Sequence, residues 1–243
     1  FAAVAFGAVY IQQQTLQTAY AASEGDLTFT QLSDGTYSVK ANNKQITGAL
    51  TIPSTYNGKA VTSIDYRGFE YCNGLTSISI PDSITSIGTS AFWGCNSLNY
   101  NEFGNGLYLG NSNNPYLALI KVKSEDITTL SINNKTKLIC DKGVYYCKGL
   151  TSITIPESVI FIGQYAFMWC VGLTSLTIPN SVQFIESDAF KYCNGLTSVM
   201  IPKSVTNIGT SAFGDCANLT SILFQGTAAE WNAITKSSGA IPS

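Results

Sequence analysis

Apolar positions recur along this chain with a period of 23 residues. The unit is clearest in LTSITIPESVIFIGQYAFMWCVG, residues 150–172. At this step five whole frames align, 75–97, 127–149, 150–172, 173–195 and 196–218, around the pattern L-T-S-I-x-I-P-x-S-V-x-x-I-G-x-x-A-F-x-x-C-x-x. Leucine falls in one column at 75, 150, 173, 196 and 219, with Ile127 in the weakest frame. Proline falls in another at 53, 81, 156, 179 and 202, and Ala-Phe in a third at 91–92, 166–167, 189–190 and 212–213. Self-similarity at a fixed period of this length marks a stacked, repetitive architecture.

The local pattern predicts the course of each frame. L-x-x-I-x-I alternates, so Ile153 and Ile155 share one side of a short strand and Thr154 takes the other. Pro156 cannot donate to a ladder and ends that strand. Val159 and Ile162 form a second apolar segment, Gly163 permits a turn, and Ala166–Cys170 makes a brief helical or 3-10 corner. One frame is one coil with its large side chains turned inward. A lone coil has too little to bury, so neighbouring coils must complete the core and pair its strand edges. The expected fold is mainly β, a solenoid of 23-residue coils over 47–226.

Two frames are stretched. Residues 47–74 carry five extra residues around Tyr56-Asn57-Gly58-Lys59. Residues 98–126 begin as a repeat at Leu98 but run to 29 residues, and at about 104–124 Leu107–Leu109 and Leu117–Val122 flank a turn-rich tip, which reads as an inserted β-hairpin. Residues 24–46 read as an N-terminal capping hairpin, with strands at Leu27–Leu32 and Thr36–Ala41. Residues 227–243 read as a C-terminal cap in which TAAEWNAI forms a short helix and Trp231 and Ile234 plug the core. Residues 1–23 contain the apolar run FAAVAFGAVYI and then small residues around Tyr20. They read as the remnant of a secretory signal peptide, or else as a buried or capping helix. Eleven apolar residues fall short of the roughly 20 a bilayer needs.

Composition narrows the chemistry. Histidine is absent, which excludes a Ser-His-Asp triad, a Cys-His pair and a histidine-bound metal. Net charge is −2 without a cluster of Lys or Arg, which argues against nucleic acid as a partner. Cys72 and Cys95, and then Cys147, Cys170, Cys193 and Cys216, follow the repeat step, with no C-x-x-C pair. They are read as buried free thiols, with ladder disulfides as the alternative. Cys140 lies outside that register, in the column of Gly88, Gly163 and Gly209, and is expected near the surface of a turn. Carboxylates fall in different columns and form no repeated pair. No catalytic residue, cofactor or metal site emerges.

With its repeated IPxSVxxIGxxAFxxC block, and with NGLYLGNSNNPYLALIKVKS and GTAAEWNAI, the chain resembles the BspA-like, or Treponema pallidum-type, leucine-rich-repeat surface proteins. The resemblance covers about residues 27–240. It implies a curved right-handed solenoid, a secreted or cell-surface location, and non-catalytic adhesion to an extracellular or host protein, or to a glycan. A structural spacer within a longer surface protein is the alternative. Frame 127–149 departs from the pattern, with Asn133 for proline and Gly143-Val144 for Ala-Phe.

Candidate ligand contacts follow from these columns. The outward strand positions Ser79, Ser131, Thr154, Thr177, Met200 and Leu223 are expected to line the concave sheet, turning apolar toward the C-terminal end. Thr154, Thr177 and Met200 represent that face. An aromatic stripe, Tyr71, Tyr146, Trp169 and Tyr192, shares one column beside the cysteines, serving either inter-coil packing or ligand stacking. The inserted hairpin adds Tyr100, Tyr108 and Tyr116, since long insertions in solenoids often sit on a working face.

Overall fold

In the computed structural model, described for residues 24–240, the repeat step becomes one turn of a β-solenoid of about eight turns. Each regular coil contributes a three- or four-residue strand, a two-residue strand and a corner. The first strands form a parallel ladder through Thr129–Ser131, Ser152–Thr154, Ser175–Thr177, Ser198–Ile201 and Ser221–Phe224. Its register sets Ser131, Thr154, Thr177, Met200 and Leu223 side by side. Alternation does the sorting: Ile153 and Ile155 are buried while Thr154 faces out. Ser79 stands apart from this ladder, because Gly74–Ser79 pairs with Thr47–Thr51 and Ser79 is bridged to Gly110 of the stretched coil.

The two-residue strands, Leu138–Ile139, Phe161–Ile162, Phe184–Ile185 and Asn207–Ile208, form a second parallel ladder across the core. Between the ladders run the dry columns that define the fold. Leu150, Leu173 and Leu196 are fully buried, as are Phe167, Phe190 and Phe213. The last three stack with ring centroids 5.1 and 5.2 Å apart and planes nearly parallel.

The corners are chains of tight turns and not continuous helix. In each, two residues four apart sit at positive φ, for instance Tyr165 (57°) with Trp169 (66°) and Asp188 (57°) with Tyr192 (60°). Alternate peptide units then lie along the solenoid axis and bond coil to coil. Tyr165, Phe167 and Trp169 donate to the carbonyls of Ser187, Ala189 and Lys191 at 3.2, 2.7 and 3.0 Å. Left-handed backbone at non-glycine residues is costly, and these inter-coil bonds offset it. The cysteines belong to the same corner. All seven are free and buried, and Cys95, Cys170, Cys193 and Cys216 each point Sγ at a carbonyl of the preceding coil, at 2.9 to 3.2 Å.

At the N-terminal end Leu27–Gln31 and Tyr37–Ala41 form an antiparallel hairpin, and its second strand pairs in parallel with Lys59–Ile64 of the first coil. At the other end Ala228–Ala233 is helical, with a capping box between Thr227 and Glu230. Ile234 is buried, and Trp231 packs on Phe224 with centroids 5.3 Å apart. Among the described residues no helix is long and apolar enough to cross a membrane. The apolar run of residues 1–11 and the signal-peptide reading of residues 1–23 lie outside the described residues.

Candidate binding surfaces

The stretched coil 98–126 organises the molecule's irregular side. Asn101–Phe103, Gly106–Leu109 and Ala118–Val122 form an antiparallel set, and the last strand joins the two-residue ladder by pairing with Leu138–Ile139. The hairpin is thus stitched into the solenoid wall. This removes Tyr108 from the candidate contacts, because its ring is fully buried. Its hydroxyl accepts the N–H of Asn133 at 3.4 Å, and its ring meets Tyr116 edge-on at 5.6 Å. Asn133 stands where other coils carry proline, so the substitution restores the N–H that this buried hydroxyl needs. Burial also holds the Tyr108 hydroxyl above the ordinary phenol range. Tyr116 is half-buried against Tyr108 and Phe103. Tyr100 is half-buried too, beneath the Lys121 ammonium 5.4 Å from its ring.

The hairpin has a second consequence. A regular coil needs eleven residue steps from its second strand to the next leucine column, as from Ile139 to Leu150, whereas the stretched coil makes only eight from Leu119 to Ile127. It therefore builds no corner. A cleft of about 1010 Å³ opens between the corner of coil 75–97 and that of coil 127–149. Phe92 and Trp93 line one wall, Asp141, Lys142 and Tyr145 the other, and Tyr100 lies at one side. Lys142 spans it, its Nζ 5.3 Å from the Trp93 ring and 5.8 Å from that of Tyr145. At one end the walls are pinned by Ser90 N–H to Asp141 Oδ2 at 3.0 Å and Thr89 Oγ1 to Gln164 Oε1 at 2.6 Å. Burial pushes the Asp141 carboxyl up, against the bonds from Ser90 and the Lys142 charge.

Cys140, expected near a turn surface, is instead buried at the base of this cleft. Its side chain turns into the space the missing corner leaves, and burial pushes its thiol far up. In the sequence the length of frame 98–126 and the Gly143-Val144 departure stand as separate irregularities. Their shared meaning is a lost corner: Val144 has no phenylalanine layer beneath it to stack on.

Among the described residues nothing covers the open face of the strand ladder. Ser131, Thr154 and Thr177 are exposed, and Met200 and Leu223 leave 42% and 53% of their surface to solvent, adjacent in register. The aromatic stripe packs along itself, with Trp169 on Tyr192 at 4.0 Å and Tyr146 edge-on to Trp169 at 6.5 Å. It still exposes Tyr71 and Tyr146. Among the described residues no group of three His, Cys, Asp or Glu could hold a metal ion.

A family model for the BspA type leucine rich repeat region matches residues 39–113 and 122–235 in six copies. The chain belongs to this family. Solenoids of this family are typically non-catalytic and mediate protein binding. Among solved structures, the chain is similar to the leucine rich repeat protein of T. pallidum, at 25% identity and a TM-score of 0.39, covering 84% of this chain and 83% of that one. It is similar also to a leucine rich cell surface protein from Faecalibacterium prausnitzii, at 20% identity and a TM-score of 0.45, covering 90% and 98%. A third is the pneumococcal vaccine antigen PcpA, at 12% identity and a TM-score of 0.43, covering 84% and 86%. No curated protein matches the chain.

Proposed function

We propose that this BspA-type chain is a non-catalytic recognition module displayed outside the cell, holding an extracellular or host protein across the open face of its strand ladder. The observation that carries the reading is the exposed pair Met200 and Leu223, adjacent in one ladder and continuous with Thr177, Thr154 and Ser131. Large apolar side chains on a solvent-facing sheet contribute nothing to the core, and exposed apolar surface of this kind marks protein-recognition sites. The absence of charge across these five positions favours a protein over a polyanion. Display outside the cell is supported by the family and by the signal-like pattern of residues 1–23. Adhesion is the role this combination best serves.

The test is binding of the purified chain to a panel of immobilised extracellular-matrix proteins and glycans. Met200→Asp and Leu223→Asp are compared with the parent chain, and thermal unfolding is followed in parallel. Loss of one defined protein interaction by at least about ten-fold, with unfolding unchanged, is the expected result. Binding indifferent to both substitutions, or directed only at glycans, would overturn the assignment. Binding to none of the panel would leave the spacer as the better description.

A further inference from the structure

Among the described residues, the cleft left by the missing corner has main-chain groups without a main-chain partner on both walls. In the regular stack the corner N–H groups of one coil bond the carbonyls of the next, as Arg67, Phe69 and Tyr71 bond Thr89, Ala91 and Trp93. The equivalent donors one coil further on are Ser90, Phe92 and Gly94. Ser90 N–H is taken by the Asp141 carboxylate, which reaches across to stand in for a carbonyl. Phe92 and Gly94 N–H find no acceptor among the described residues. On the facing wall the carbonyls of Asp141 and Gly143, whose counterparts Gln164 and Ala166 accept from Lys142 and Val144, find no main-chain donor among the described residues. Phe92 and Gly143 are buried residues, and buried main-chain groups are rarely left unpaired.

The aromatic column is interrupted at the same level. Phe69 stacks on one face of Phe92 at 5.8 Å, and on the far side of the gap the column resumes with Val144. One wall therefore presents N–H groups at every second residue, and the other presents carbonyls at the same spacing. The cleft between them has an apolar part at Phe92, Ile120 and Cys140, and charged side chains elsewhere in its lining.

We infer that the cleft takes a short peptide segment bearing one bulky apolar side chain, whose main chain adopts the alternating turns of the regular corners and supplies the layer that coil 98–126 lacks. This deepens the recognition role and rests on it. In that conformation alternate peptide units point their N–H groups to one side and their carbonyls to the other, as the Tyr165–Trp169 corner does, so a peptide matches both walls at once. The apolar side chain enters against the open face of Phe92, beside Ile120 and Cys140. Ligand groups that only accept or only donate would leave one wall unsatisfied. Lys142, over Trp93 and Tyr145, stands at the rim across the chain's path.

The probe is an acetylated, amidated heptapeptide copying this chain's own corner at residues 210–216, with serine in place of the cysteine. It is titrated into the full chain while Trp93 fluorescence and the amide signals of Phe92 and Gly94 are followed. Saturable binding that slows hydrogen exchange at those two amides is expected. N-methylation of the peptide's phenylalanine amide, which faces the carbonyl wall, should weaken binding about ten-fold or more, and methylation of the preceding alanine amide less than about three-fold. Replacing the peptide's phenylalanine by alanine should weaken it comparably. Absence of saturable binding, equal effects of the two methylations, or displacement of the peptide by an oligosaccharide would overturn the proposal. So would binding seen only after residues 1–23 are deleted, because the chain's own segment would then be the occupant. If the peptide fails while the interaction sensitive to Met200→Asp persists, only this inference falls. If both fail, the recognition role falls with it.

Discussion

Replacing Phe190 by alanine removes the middle ring of a continuous aromatic stack, and replacing Phe92 removes a ring with one open face. Phe190 is fully buried, with Phe167 at 5.1 Å on one side and Phe213 at 5.2 Å on the other. Phe92 is 8% exposed, has a ring on one side only, Phe69 at 5.8 Å, and borders the cleft on the other. Truncating an enclosed phenylalanine costs about 3–5 kcal/mol, and Phe190 belongs near the middle of that range, at about 4 kcal/mol. Phe92→Ala forfeits one ring pair fewer, worth roughly 1 kcal/mol, and the void it leaves joins an existing cleft. Its cost should be about 2–3 kcal/mol. Urea unfolding measures both, with the slope checked for each variant, because a one-dimensional array can lose its cooperativity and unfold in parts. Hydrogen exchange at amides of the two flanking coils then localises the loss. Equal costs for the two variants would mean that Phe92 is as enclosed as Phe190, and the missing corner would be refuted.

Three further outcomes follow from buried or capping groups. Burial pushes the thiols of Cys95 and Cys216 up to about 11 from an ordinary 9.0, so folding favours the protonated form. Their contribution is complete below pH 9.0 and is lost as pH rises toward about 11. Denaturant midpoints should fall across that window, and at pH 8 the seven cysteines should react with iodoacetamide only after unfolding; a midpoint flat to pH 11 would contradict this. Glu186 is a half-buried carboxylate raised by desolvation, so ionising it opposes folding. Glu186→Gln should therefore stabilise the chain at pH 7 and lose that advantage in acid below the ordinary 4.5, and a destabilised variant at pH 7 would rule out the reasoning. Glu230 has the opposite sign, because bonds from Thr227 lower its value and its cap is intact above 4.5. Acid should release the cap and expose Trp231 to solvent quenching before the main transition, whereas Glu230→Gln should remove this early step.

The regular coils were legible because one physical demand repeats at every step. Leu150, Leu173 and Leu196 share a dry column, and such a column forces the same residue type at the same phase. The open ladder was legible for the complementary reason: alternation around Ile153 and Ile155 left Thr154 nowhere to point but outward. The corners were less so. Ala166–Cys170 has the composition of a short helix, yet inter-coil bonding selects alternating turns with Tyr165 and Trp169 at positive φ, a preference that no local propensity encodes. Tyr108 reads from sequence as a surface residue because hairpin insertions usually face water. The strand Ala118–Val122 instead completes the second ladder and draws Tyr108 beneath it.

The departures in frame 127–149 make better sense as consequences than as decay. Asn133 replaces a proline where a buried hydroxyl of the preceding coil needs an N–H, and Tyr108 accepts it. Val144 replaces a phenylalanine where the preceding coil offers no ring to stack on. Asp141 puts a carboxylate where the neighbouring corner lacks a carbonyl for Ser90. The two polar changes, at Asn133 and Asp141, act on the side of the coil that faces the preceding turns. On the opposite side, toward 150–172, frame 127–149 keeps the regular bonds, with Lys142, Val144 and Tyr146 donating to Gln164, Ala166 and Met168. A coil relaxing under weak constraint would vary on both sides. One-sided change shows a wall shaped by the gap in front of it, and Asp141 fills only part of what that gap leaves unpaired.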